Sequence, residues 1–264
     1  MTEFQLKYNN KVSEIIIPST WNELSINHLM YIATNWNIWR DITLYEDSLL
    51  KEKCKLFLQL VPKKLRSEIK KAIPNISDES LYELSTLTNF VFEDNTLTKC
   101  PIQTIKSDSI ILHAPSDKLG NIVALEFIAA DHYYMQYHTN RDNESIVKLI
   151  ASLYRPRIEN SLERIPFEKQ NDLRYYASVN TLSDSEKQLI LLWYIGSRTA
   201  IVKKYSDIFS TDHQEEAKSS GWLPIILELA GNKFGTFEQT AHTDFHLILM
   251  ELREMRNRKP KNNA

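Results

Sequence analysis

At 264 residues and a formal net charge of −2, the chain can build one large or two small domains with a real core. It carries no global field that would favour nucleic acid or an anionic membrane. Its 42% hydrophobic and 25% charged residues are those of an ordinary globular protein. The five glycines, at 120, 196, 221, 231 and 235, cannot be assembled into G-x-G-x-x-G or G-x-x-x-x-G-K-[ST], so dinucleotide and P-loop chemistry is not expected.

Cys54 and Cys100 are isolated, with no CxxC, and read as free thiols of a reducing compartment. The opening MTEFQLKYNN has neither the basic start nor the apolar core of a signal peptide, and no apolar run approaches the ~18 residues of a membrane span. A cytoplasmic protein is expected.

Phe4, Leu6 and Tyr8 alternate before Asn9-Asn10, and residues 12–17 are β-branched and apolar, which predicts an N-terminal β-hairpin stopped by Pro18. Thr20 with Glu23 spells a capping box, and Ser25 offers an alternative start, for a helix carrying Leu29, Tyr31, Ile32, Trp36 and Trp39. Such an aromatic stripe is more often core than binding site. A second helix is expected over 45–61 and a third over 62–73, where Lys63, Lys64, Arg66, Lys70 and Lys71 form the one local basic patch, a solvated face or a phosphate contact. Ser77, with Asp78 and Glu79 in the first turn, caps a helix running to 87.

Between 89 and 121 the texture changes. Phe90-Val91-Phe92 and Ile110-Ile111-Leu112 read as short strands of a central β-element, and 115–120 as a linker. Two domains follow, 1–115 and 121–264. In the second, a helix is expected over 123–137 and another, capped by Asn143, ended by Pro156. A further helix covers 172–177. Ser183 with Glu186 opens a long one whose centre, 189–195, is apolar on nearly all sides and should be the most buried. The stretch 221–252 reads as two helices around a glycine corner. Pro224 sits in the first turn of one, Gly231 closes it, and Gly235 suits a positive φ. Thr236 with Gln239 then opens a second, unbroken helix through Phe245 and Leu252, with Trp222 and Phe234 as packing anchors. The fold class is mainly α: a multi-helix bundle with a small N-terminal β-hairpin and a short central β-element.

Chemistry is sparse. There is no G-x-S-x-G elbow. His242 and His246 are four apart, with Glu238 a turn earlier, and an H-x-x-x-H pair can hold two corners of a zinc tetrahedron; no Glu follows His242 as in H-E-x-x-H, so a solvated face is the plainer reading. Arg155, Arg157 and Arg164 could clamp an acidic partner or a phosphate. The favoured alternative is that they neutralise helix carbonyls and pair with Glu159 or Glu163. No metal, cofactor or catalytic residue is assigned.

Several segments together carry a resemblance: the N-terminal strand followed by IPSTWNEL, the central ALEFIAADHYYMQY, LYRPR, and GWLPIILELAGNKFGTFEQT. They resemble uncharacterised proteins of Bacteroidota phages and prophages encoded among tail-morphogenesis genes. The resemblance implies a non-enzymatic tail assembly protein, a chaperone or scaffold that holds a helical client such as the tape-measure protein. It implies partners among tail proteins, the tape-measure or the tail tube, compatibility with a homo-oligomer, and a place in the host cytoplasm during assembly or in the virion. The aromatic grooves for a client helix would draw on Trp21, Trp36, Trp39, Trp222 and Phe234, with Arg155 and Arg157 as polar contacts. Membrane binding is not expected. The rivals are a nucleic-acid-binding module using the basic helix faces and a metal-dependent hydrolase around His242 and His246.

Overall fold

The computed structural model describes residues 1–8, 11–42, 46–73, 77–107, 110–168, 170–209, 229 and 233–258. Among these the fold is mainly α, with two small antiparallel two-stranded sheets. The chain forms two units, 1–97 with 184–196 and 98–183 with 197–264, whereas the sequence suggested 1–115 and 121–264.

The first unit opens with β1 (Thr2–Tyr8) paired to β2 (Lys11–Ile17), as the alternation predicts; the connection at 9–10 lies outside the described residues. Ile15 and Ile17 are buried while Glu14 and Ile16 face out, and Phe4, opposite Ile15, packs against Phe57 at 5.6 Å between ring centroids. Helices α1 (Ile26–Ile42), α2 (Glu46–Leu60), α3 (Lys63–Ala72) and α4 (Asp78–Thr86) follow where periodicity placed them. Ser25 caps α1, its hydroxyl accepting from the His28 N–H at 3.3 Å, and Ser77 caps α4 through the Ser80 N–H. The Thr20–Glu23 box does not form. Glu23 instead accepts from the Ser19 N–H at 2.8 Å and from the N-terminal amine at 2.7 Å, and residues 21–23 make a single 3₁₀ turn.

Residues 90–92 are not a strand. They belong to a one-turn helix, α5 (Asn89–Phe92), which follows directly on the end of α4 and buries Val91 completely. The unit is completed by residues 184–196 of α10 (Asp184–Lys204); of the stretch 189–195 expected to be buried, 189–194 are fully buried and Ile195 is half-buried. Gly196 is required there: a Cβ would collide with the Leu97 backbone and the Asn95 side chain. Asn95, itself buried, donates to the Leu192 carbonyl at 2.8 Å and accepts from the Leu97 N–H at 2.9 Å.

In the second unit, β4 (Ile110–His113) pairs with β3 (Thr104–Ser107), so the central β-element exists with a different partner from the expected 90–92. Its far edge continues onto Arg155, which exchanges both backbone hydrogen bonds with His113. Residues 115–120, expected as a linker, form a packed corner. Lys118 and Leu119 have φ of 60° and 56°, and Leu119 is completely buried. Asp117 holds the corner by accepting from the Cys100 N–H at 2.8 Å, and the Lys118 N–H donates to the Thr98 carbonyl at 2.9 Å.

Helices α6 (Ala124–Asn140) and α7 (Asn143–Leu153) form the main pair, and the cap of α7 is Asp142 rather than Asn143, its carboxylate accepting from the Ser145 N–H at 2.7 Å. Two short helices, α8 (Asn171–Arg174) and α9 (Tyr176–Asn180), stand where one was expected, and α11 (Ser206–Phe209) follows α10. The first helix of the 221–252 corner lies outside the described residues apart from buried Leu229. The second breaks in two. α12 (Phe237–Ala241) starts with the complete Thr236–Gln239 capping box, with Gly235 before it at φ 81°, and α13 (Phe245–Arg258) starts afresh. The break arises because residues 243–245 bond to 122–124 instead of continuing the helix: the Ala124 N–H donates to the Thr243 carbonyl and the Phe245 N–H to the Ile122 carbonyl. Phe245 thereby stacks on Phe127 at 3.9 Å.

Candidate partner-binding site

The residues proposed as a binding groove fall into three environments. Trp21, Trp36 and Trp39 come together in the first unit. Trp21, in the turn after Pro18, is 1% exposed, and its indole N–H donates to the Phe90 carbonyl at 2.9 Å. Trp36, half-buried on α1, meets Trp21 edge-on at 5.8 Å. Trp39 is also 1% exposed, donates to the Glu52 carboxylate at 2.9 Å and packs against Tyr31 and Phe92 at 5.9 and 5.1 Å. Trp21 and Trp39 are therefore core, because both indoles are spent on internal partners. Phe234, in the second unit, is half-buried beside Gly235, and Trp222 lies outside the described residues.

The open edge of this aromatic cluster is where the first unit presents a cavity of about 780 Å³. Half-buried Phe90 and Phe92 line it, together with Ser19, Thr20 and the exposed Glu93, Asp94 and Thr96. The face of Phe92 already carries a cation, Lys53, whose Nζ lies 5.7 Å from the ring centroid while donating to Asn89 Oδ1. An apolar floor with an acidic rim takes a segment that is apolar on one side and basic on the other. The strand-like pattern of Phe90-Val91-Phe92 hides these lining residues from the sequence, since α5 forms there instead. The available signal was the Glu93-Asp94 pair immediately after the aromatics.

The arginines settle differently. Arg155 and Arg164 converge on Glu126 of α6, which is completely buried: Arg155 Nη2 donates to Oε2 at 2.6 Å and Arg164 Nη1 to Oε1 at 2.7 Å. Arg164 also donates to the Leu153 carbonyl at the end of α7 and to the Asn121 carbonyl. The carbonyl-neutralising reading thus holds for Arg164, but the carboxylate is Glu126 and not Glu159 or Glu163. Both Glu126 oxygens act as acceptors, the pattern of an ionised carboxylate. Burial pushes that carboxyl upward, with Arg164 and then Arg155 pulling it back, and burial brings Arg155 down to about 10. Arg155, 4% exposed, is unavailable to a partner; Arg157 is exposed, its backbone bridged to Arg164.

The histidine pair loses its premise. His242 follows the end of α12 and His246 lies within α13, so they are not one turn apart on one helix. His242 is exposed, while His246 Nε2 lies 3.2 Å from the Leu119 carbonyl. Among the described residues, no three His, Cys, Asp or Glu side chains gather in a metal-holding group. Cys100 is buried, and burial raises its thiol to about 12, which keeps it protonated and unreactive. No family model matches the sequence, and neither curated proteins nor solved structures provide a match.

Proposed function

We propose that the chain is a non-enzymatic assembly protein that holds a basic, amphipathic helix of a client protein in the cavity of its first unit. The observation that carries this reading is the pairing of an aromatic floor, Phe90 and Phe92, with an acidic rim, Glu93 and Asp94, at the open edge of a cluster in which Trp21 and Trp39 are buried. Rigid aromatic anchors beside charges of one sign are what a helix-in-groove interface needs. Phage tail morphogenesis is the setting, on the strength of the resemblance, and the tape-measure protein is the client. Among the described residues no helix is long and apolar enough to cross a membrane.

The test is co-expression of the full tagged chain with the tape-measure and tail-tube proteins of the same phage, with recovery compared at low and high salt. The expected result is a tape-measure complex that survives high salt and is weakened roughly tenfold by Glu93→Lys with Asp94→Lys. These side chains are exposed, so the double variant keeps its fold. Recovery of nucleic acid that is lost at high salt would replace this reading with one centred on the exposed Lys63, Lys64, Lys70 and Lys71 of α3.

A further inference from the structure

A second cavity in the first unit, of about 490 Å³, shares no lining residue with the first and has the opposite electrostatic character. It opens where the end of β2, the start of α1 and the start of α3 meet. Its apolar wall includes Pro18 and Ile16, the latter 55% exposed although it is a large aliphatic residue. Its polar wall carries Asn27, His28, Lys63 and Arg66, and no carboxylate is among the lining residues.

Arg66 is the centre of this wall. It is half-buried and clamps the end of α2, with Nε donating to the Val61 carbonyl at 3.0 Å, Nη1 to Gln59 Oε1 at 3.0 Å and Nη2 to the Gln59 carbonyl. All three acceptors are uncharged, and among the described residues no carboxylate pairs with it. A guanidinium has five N–H bonds, so two remain after these three. The group is therefore held in place by the carbonyls at the C-terminal end of α2, and among the described residues no carboxylate neutralises it. Lys63 lines the same cavity from the first turn of α3 and is exposed. Neither α1 nor α3 has an acidic residue in its first turn, so their N-termini add to the positive potential of these side chains, while the α2 carbonyls that line the cavity at 59–61 are engaged by Arg66 at Gln59 and Val61. His28 registers that potential: burial and then the charge of Arg66 lower its pKa. Its Nδ1 lies 3.4 Å from the Ser25 N–H, which places it as an acceptor there. The Glu23 carboxylate, which accepts from the N-terminal amine and Ser19, is not among the lining residues.

We propose that this cavity binds an organic carboxylate with a short apolar tail, the head group on Arg66 and Lys63 and the tail along Ile16 and Pro18. A bidentate carboxylate suits the two remaining guanidinium N–H bonds, and the tail removes the exposed Ile16 surface from water. This assignment is independent of the client-binding reading, because the two cavities have separate walls.

Hexanoate is the probe, titrated into the full-length protein by calorimetry and by the ring signals of His28 in NMR spectra. Hexanamide and inorganic phosphate serve as the tail-only and head-only controls. Saturable binding of hexanoate that shifts the His28 signals, at least tenfold tighter than either control and weakened about tenfold by Lys63→Glu, is expected. Lys63 makes no contact on which the fold depends, whereas Arg66→Gln removes the clamp on Gln59 and Val61; the lysine variant therefore carries the test. Equal binding of hexanamide would reduce the site to an apolar cleft, equal binding of phosphate would remove the role of the tail, and no saturable shift at His28 would remove the site. Each of those results overturns the proposal.

Discussion

In the first unit, buried polar groups are satisfied largely without ion pairs. The Trp21 indole ends on a carbonyl, and Asn95 bridges the Leu192 carbonyl and the Leu97 N–H. In the second unit the corresponding place is taken by ions, with Arg155 and Arg164 closing on Glu126 at 2.6 and 2.7 Å inside a wall that includes Phe167. The difference teaches where each unit is vulnerable. Removing a partner from a neutral pair leaves one orphaned dipole, whereas removing the carboxylate leaves two buried guanidinium charges facing each other.

The largest expected effect is therefore Glu126→Ala, which should destabilise the second unit by about 3–5 kcal/mol, read as accelerated amide exchange across α6 and α7. Replacing all three charges together with Leu and Met should recover most of that loss, because the cost lies in the unpaired charge; failure to recover would mean the triad contributes more than compensation. Asn95→Ala should cost less, about 1–3 kcal/mol, seen as lost protection at residues 189–194. A loss as large as that of Glu126→Ala would remove the contrast between the two interiors.

The smallest effect is at the surface of the first unit. The hydrogen bond from the N-terminal amine, then that from the Ser19 N–H, holds the Glu23 carboxyl at about 2 instead of the ordinary 4.5. Because the folded value is the lower one, this contribution is fully present above about pH 4.5 and disappears as pH falls through about 2. An NMR titration of the Glu23 carboxyl together with the β1–β2 amides checks it: the two should move with one midpoint, and Glu23→Gln should abolish the transition.

Local chemistry carried far in this chain. The alternation of residues 4–8 and 12–17, the Ser25, Ser77 and Thr236 caps, and the all-round apolarity of 189–194 were legible because each depends on neighbours within a turn or a strand pair. The aromatic cluster of Trp21, Trp36 and Trp39 was legible as a grouping, but not which of its members stay accessible. That depends on Phe90, whose carbonyl takes the Trp21 indole across 69 residues, and on Phe92, which covers Trp39. The acidic rim went unnoticed for the same reason, since Glu93 and Asp94 become a rim only once α5 turns the aromatics inward.

By itself the sequence determined the mainly α class, the N-terminal hairpin and most helix starts, since capping and periodicity act through hydrogen bonds and side chains a few residues apart. Only the tertiary structure decided that Arg155 belongs to Glu126, that residues 243–245 leave their helix to bond with 122–124, and that 115–120 is a packed corner and not a linker. Those outcomes rest on groups far apart in the chain meeting in a low-dielectric interior, where a buried charge or an unpaired N–H must find its partner wherever the fold places one.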